Sequence, residues 1–182
     1  MIILEGCDGT GKTTLAKRLA EDLGLAYAKK SVPDGDPFQD YLKTIGESKS
    51  DVVYDRLYMG EEVYPQVKPN RIPLSKGKKH MLERLINSKG GLVILCEATD
   101  EQIKHTFETR GEDFITFEEA KRVSLYYHNA QCLSIVNKKF FINPRAMDYD
   151  KFLKFIRVEL GFARGMQDVS KVFLGTGLPL RE

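Results

Sequence analysis

Short apolar runs alternate along this chain with stretches in which apolar residues recur every three or four positions. Met1-Ile2-Ile3-Leu4 opens it, and Leu92-Val93-Ile94-Leu95-Cys96 repeats the theme near the middle. Uninterrupted apolar runs of this length, bounded by glycine or charge, read as buried strands. Residues 25–29, 51–55 and 140–143 supply three more. Between them, Leu15, Leu19, Ala20 and Leu23 keep helical spacing. So do Phe38, Tyr41, Leu42 and Ile45, whose helix is predicted to end at Gly46, and Met81, Leu82, Leu85 and Ile86. Further helices are predicted over 58–67, 101–109 with Asp100 as its cap, 116–136 and 148–160. The long one starts with Thr116 and Glu119 spaced as a capping box. Residues 70–79 read as an irregular loop. Strands alternating with helices make an α/β fold in three layers, a five-stranded parallel sheet between helices. No linker or repeat divides the chain, so residues 1–182 are expected to form one domain, with 161–182 a weakly patterned extension.

Between the first strand and the first helix stands Gly6-Cys7-Asp8-Gly9-Thr10-Gly11-Lys12-Thr13, which fits G-x-x-x-x-G-K-[ST]. The glycines let the backbone turn its N–H groups toward a polyphosphate, and the new helix points the positive end of its dipole at the same anion. Lys12 offers a mobile charge to the β- and γ-phosphates, and the Thr13 hydroxyl is a ligand for Mg²⁺. The nucleotide-binding candidates are therefore Gly6, Gly9, Thr10, Gly11, Lys12, Thr13 and Thr14, with ATP and Mg²⁺ as the expected cofactors.

Composition narrows the field. A chain of 182 residues with 42% hydrophobic content can bury a substantial core. Its net charge is +2 and the lysines are dispersed, which gives no case for a nucleic-acid or membrane partner and favours small nucleotides. Cys7, Cys96 and Cys132 lack metal-ligand spacing and read as small buried thiols of a reducing compartment. The opening apolar run is too short for a signal peptide, so a cytoplasmic location is expected. A regulatory GTPase should carry Asn-Lys-x-Asp, but Asn137-Lys138-Lys139-Phe140 lacks the aspartate.

The remaining motifs resemble one family. Leu4-Glu5-Gly6-Cys7-Asp8-Gly9-Thr10-Gly11-Lys12-Thr13-Thr14 is similar to the phosphate loop of thymidylate kinases, in which the aspartate inside the loop, here Asp8, is a distinguishing mark. Asp55-Arg56 resembles that family's D-R at the end of the third strand, and Tyr64 falls where the family places an aromatic. Arg110, among acidic neighbours, is placed like the arginine of the family's lid, expected here at about 106–117. Gly60 stands where the family has serine, and the stretch from Lys12 to Asp55 is shorter than the family's. The resemblance implies a P-loop kinase fold with a lid. It also implies ATP-dependent phosphorylation of a (deoxy)nucleoside monophosphate, a pyrimidine such as dTMP or a modified dUMP. Short divergent kinases of this sort are familiar from bacteriophages. Similar kinases are often homodimers, and the resemblance carries that expectation too.

Each residue has a functional and a plainer reading. Asp55 orients Mg²⁺ through water or caps the segment after it. Arg56 grips the acceptor phosphate, as a planar bidentate donor suits an oxyanion, or makes a surface salt bridge. Arg110 closes over the phosphates or ends a solvated helix. Asp8 contacts the acceptor or ties down the loop, while Glu5 braces the loop. Tyr64 flanks the acceptor nucleoside or fills the core, and Arg71, Glu61 and Tyr58 are further acceptor-pocket candidates. Tyr126 and Tyr127 share the helix after the lid, where at least one must face the core. Two rivals remain open. A deoxynucleoside kinase needs a carboxylate base after the second strand, where Asp34 and Asp36 are the nearest. A nucleotide-sensing module needs no acceptor grip at all.

Overall fold

A computed structural model describes residues 1–31, 33, 35–48, 51–110 and 115–161. Its strands are β1 (Ile2–Glu5), β2 (Ala26–Lys29), β3 (Val52–Asp55), β4 (Leu92–Cys96) and β5 (Lys138–Ile142). Its helices are α1 (Lys12–Leu23), α2 (Pro37–Glu47), α3 (Gly60–Val63), α4 (Lys76–Ser88), α5 (Asp100–Arg110), α6 (Phe117–Cys132) and α7 (Tyr149–Glu159). All strand pairs are parallel, in the order β2-β3-β1-β4-β5. The apolar runs explain that order. β1 and β4, solid with Ile, Leu and Val, are fully buried, whereas β2 and β5 carry lysines and lie half-exposed at the edges.

Side chains alternate across the sheet. Ile3, Val93 and Leu95 join one core with Phe38, Tyr41 and Ile45 of α2, Leu82 and Ile86 of α4, and Ala120, Val123 and Tyr127 of α6. Ile2 and Leu4 point the other way and are buried, as are Leu15 and Leu19 of α1. Chain contacts divide the molecule into two compact units, Met1–Met147 and Asp148–Glu182. Within the second, α7 is capped by the Asp148 carboxylate, which accepts from the Lys151 amide at 3.1 Å. No helix among the described residues is long and apolar enough to cross a membrane.

Several boundaries differ from the sequence reading, each for a local reason. Gly46 lies inside α2, which runs one residue further. The helix expected over 58–67 breaks at Pro65 into α3 and a 3₁₀ turn, Tyr64–Gln66. Proline cannot donate to the Glu61 carbonyl, and the Leu74 amide takes that acceptor at 2.9 Å. Helix α4 begins inside the expected loop, capped by Ser75, because Lys79 serves as a buried position. Its ammonium meets Glu62 at 2.6 Å and the Ala130 carbonyl at 2.9 Å, a burial that no apolar period announces. Thr99 caps α5 in place of Asp100, its hydroxyl accepting from the Gln102 amide at 3.3 Å. Helix α6 has the expected Thr116–Glu119 capping box but stops at Cys132, where buried Glu83 captures the Ile135 amide at 3.1 Å. Cys7 and Cys96 are buried free thiols; Cys132 is a free thiol but exposed.

Candidate functional site

The sheet order puts β1 between β3 and β4, so the glycine loop leaves the centre of the sheet beside the carboxyl ends of both neighbours. Gly6 is required there. Its φ is +141°, and a Cβ would lie 2.4 Å from the Cys96 carbonyl oxygen. At the other end Gly11 starts α1 with φ +86°, and no side chain caps the helix. The first amides of α1 are therefore left for an anion, as the motif requires. Thr10 is buried and donates to the Cys7 carbonyl at 3.0 Å, so its hydroxyl closes the loop on itself. Thr14 is exposed on α1.

Three residues named from sequence come together at the loop's exit. Lys12 Nζ lies 3.3 Å from Asp55 Oδ1, and the Thr13 hydroxyl donates to Asp55 Oδ2 at 2.7 Å. Tyr27 of β2 also donates to that oxygen, at 3.1 Å. Burial opposes ionisation of Asp55, but the Lys12 charge and the Thr13, Tyr27 and Lys12 hydrogen bonds overcome it and hold the carboxyl below its ordinary value. A hydroxyl beside an ionised carboxylate, next to a phosphate cradle, is a donor set that suits Mg²⁺. Among the described residues no cluster of three His, Cys, Asp or Glu side chains stands ready to hold a metal alone.

A second group gathers around Asp8. Its Oδ1 accepts from the Arg56 guanidinium, and its Oδ2 accepts from the Tyr64 hydroxyl at 3.0 Å. Both Arg56 and Arg71 lie over the Tyr64 ring, at 5.5 and 5.0 Å from its centroid. Arg71 approaches Glu61 at 3.9 Å, and Glu61 accepts from the Tyr41 hydroxyl at 3.1 Å. Tyr64 itself is buried and meets Tyr127 edge to face, with centroids 6.1 Å apart. Tyr64 thus joins the core and touches the charged cluster at once. Tyr127 is the buried member of the α6 pair and Tyr126 the half-buried one. Tyr58 lies elsewhere, donating to buried Glu83 at 3.1 Å. Gly60 also finds its reason, since a Cβ there would stand 3.2 Å from the Tyr127 hydroxyl. A side chain at position 60 would require that hydroxyl to give way.

Glu5 does not brace the glycine loop as expected. Its Oε1 accepts from the Leu57 and Met59 amides at 3.1 and 3.0 Å, beyond the end of β3. Burial pushes its carboxyl up to about 7, against the pull of those two amides and of Arg56 and Lys12. Of the two aspartates after β2, Asp36 caps α2 through the Phe38 amide at 3.0 Å and meets Lys78 at 3.1 Å. Asp34 lies outside the described residues, as do the Arg110 side chain, residues 111–114 of the expected lid, and 162–182. Three participants escaped the sequence reading. Arg145, in the loop after β5, donates to the Gly9 carbonyl at 2.8 Å and to the Thr106 hydroxyl at 2.5 Å. Thr106 in turn faces the same carbonyl at 3.4 Å, and Tyr27 holds Asp55. Nothing in their local spacing marks them; only the sheet order brings them to the loop.

No protein-family model matches the sequence, and no curated protein matches it. Solved structures do. The YorR protein of Bacillus subtilis, in complex with phosphorylated GDP, aligns with a TM-score of 0.75 at 24% identity, covering 88% of this chain and 96% of that one. The deoxyadenosine kinase of M. mycoides, bound to dCMP and a flexible dCDP, aligns at 0.54 with 15% identity, covering 88% and 98%. The same enzyme bound to dATP gives 0.55 at 15% identity over 88% and 98%. With its five-stranded parallel sheet and its glycine loop at the centre, the chain has the α/β fold of P-loop kinases.

Proposed function

We propose that this chain transfers the γ-phosphoryl group of ATP to a (deoxy)nucleoside monophosphate, a pyrimidine deoxynucleotide such as dTMP or a modified dUMP. One observation carries the reading: Arg56 faces the phosphate loop itself, engaged by the loop's own Asp8. A guanidinium in that place is positioned to hold the acceptor's phosphate against the donor's. The solved structures with nucleotide ligands support phosphorylation of a nucleotide or nucleoside in general.

In this reading the loop amides and Lys12 hold the triphosphate, and Thr13 and Asp55 are the residues that would hold Mg²⁺. When bound, the ion neutralises charge on the β- and γ-phosphate oxygens. Arg56 exchanges Asp8 for the acceptor phosphate. An oxygen of that phosphate then forms a bond to the γ-phosphorus while the bond to the departing ADP breaks. The acceptor is already anionic, so no protein base is needed, and positioning supplies most of the catalysis. Arg71 on the Tyr64 ring extends the acceptor side, and Arg110 is the lid candidate.

A deoxynucleoside kinase would need a carboxylate to take the proton of the sugar hydroxyl. Asp36 is committed to a helix cap and to Lys78, which leaves Asp34 as the nearer candidate for that role. A coupled assay of ADP release across nucleosides and nucleoside monophosphates tests the assignment. Turnover confined to monophosphates is expected. Turnover with nucleosides alone, or ATP binding with no turnover on any acceptor, overturns it.

A further inference from the structure

The residue that presents the acceptor-side guanidinium has an unusual backbone. Arg56 has φ +68°, the one positive value outside glycine among the described residues. That region is disfavoured by about tenfold for a residue with a Cβ, and it persists only where the surroundings over-determine it. Three hydrogen bonds do so here. The Arg56 amide donates to the Leu4 carbonyl at 2.9 Å. Just beyond it, the Leu57 and Met59 amides converge on one oxygen, Glu5 Oε1. Leu4 and Glu5 are the last two residues of β1, immediately before the phosphate loop.

Glu5 is a poor choice for packing alone. It is fully buried, and its Oε2 has no hydrogen-bond partner among the described residues. A leucine would fill the volume without stranding a polar atom. What a leucine could not do is accept from two amides at once. We infer that Glu5 is a positioning residue, holding residues 57–59 so that Arg56 stays left-handed and its guanidinium faces the phosphate loop at Asp8. One side chain thereby fixes the acceptor grip relative to the donor cradle, because Glu5 and Gly6 are adjacent in the chain. The kinetic consequence rests on the kinase reading; the structural one does not.

The test compares the full chain with Glu5→Leu and Glu5→Gln, since glutamine retains a carbonyl acceptor. In Glu5→Leu, the Leu57 and Met59 amides should exchange with solvent at least about tenfold faster, and the acceptor KM should rise about tenfold with the ATP KM within about twofold. Glu5→Gln should bring both readouts back to within about threefold of the parent protein. Equal increases in both KM values, or a glutamine variant as impaired as the leucine one, overturns the inference. If the parent protein turns over no monophosphate, the kinase reading fails and the exchange rates decide alone; unchanged rates in Glu5→Leu then sink the positioning role. If Glu5→Leu does not fold, urea unfolding of Arg56→Gly against Arg56→Ala decides. The glycine variant should be favoured about fivefold in its folding equilibrium, and equal stabilities mean that residue 56 is not held left-handed.

Discussion

In the proposed donor half of the site, the binding surface is contiguous in sequence: Gly6 to Thr13 turn their own backbone into a cradle, and Lys12 and Thr13 sit at its exit. In the proposed acceptor half, nothing is contiguous. Asp8 comes from the loop, Arg56 from the end of β3, Tyr64 from a 3₁₀ turn, and Arg71 from the chain beyond it. A backbone cradle needs glycines at fixed offsets because only they allow the required φ and the close approach. A side-chain cluster needs only that the fold bring the right groups together, and many spacings satisfy that. The donor half is therefore written as a motif, and the acceptor half as a topology.

The largest expected effect lies in the donor half. Lys12→Ala removes the charge proposed to serve the triphosphate and also strips Asp55 of its ion pair. Turnover should fall about a thousandfold, and near-normal rates would take the loop out of the mechanism. Next comes Gly6→Ala. It forces a Cβ to 2.4 Å from the Cys96 carbonyl at φ +141°, so the fold itself should lose about 3 kcal/mol in a urea titration. An alanine variant of unchanged stability would mean that the cradle is not held as described.

The acceptor half should respond differently. Arg56→Ala is expected to lower kcat/KM for the acceptor about a hundredfold while the ATP KM moves by less than about twofold. A collapse of ATP affinity with the acceptor KM intact would place Arg56 on the donor side. Acidity offers a further contrast. Burial pushes the Glu5 carboxyl up to about 7 from an ordinary 4.5, so between those values the folded chain holds a proton that the unfolded chain releases. Its contribution to stability must then fall as pH rises through that window, by about 1 kcal/mol per pH unit at the steepest. Glu5→Gln should flatten that slope, and an unchanged slope would assign it to another group.

This contrast also marks what could be read without coordinates. The five strands follow from apolar runs, and the α/β class from their alternation with amphipathic stretches. Lys12, Thr13 and Asp55 were legible because motif and strand end both point to one place. Lys79 was not, since its burial depends on Glu62 and the Ala130 carbonyl, which are remote in sequence. Arg145 was not, because it is the β4–β5 pairing that delivers the loop after β5 to Gly9. The resemblance to thymidylate kinases marked Asp8, Arg56 and Tyr64 as candidates, and the fold brings their three side chains into contact.

The smallest predicted effect tests whether the donor half is as self-contained as its motif. Tyr27 lies on edge strand β2 and gives Asp55 one of its hydrogen bonds, at 3.1 Å, alongside Thr13 and Lys12. Register explains its reach: Ala28 pairs with Tyr54 and Lys29 with Asp55, so the two strands end side by side. Burial, followed by the Asp55 charge and hydrogen bond, pushes the Tyr27 phenol up to about 12, so it stays a donor at neutral pH. Tyr27→Phe removes that single bond and leaves the ring. With two partners remaining, Asp55 stays ionised and on the same side of the loop. Stability should drop by about 1 kcal/mol and turnover about threefold, while the half-saturating concentration of Mg²⁺ rises. If phenylalanine changes neither, the loop and β3 suffice to place the carboxylate. If it costs as much as Lys12→Ala, the donor half depends on the tertiary fold no less than the acceptor half does.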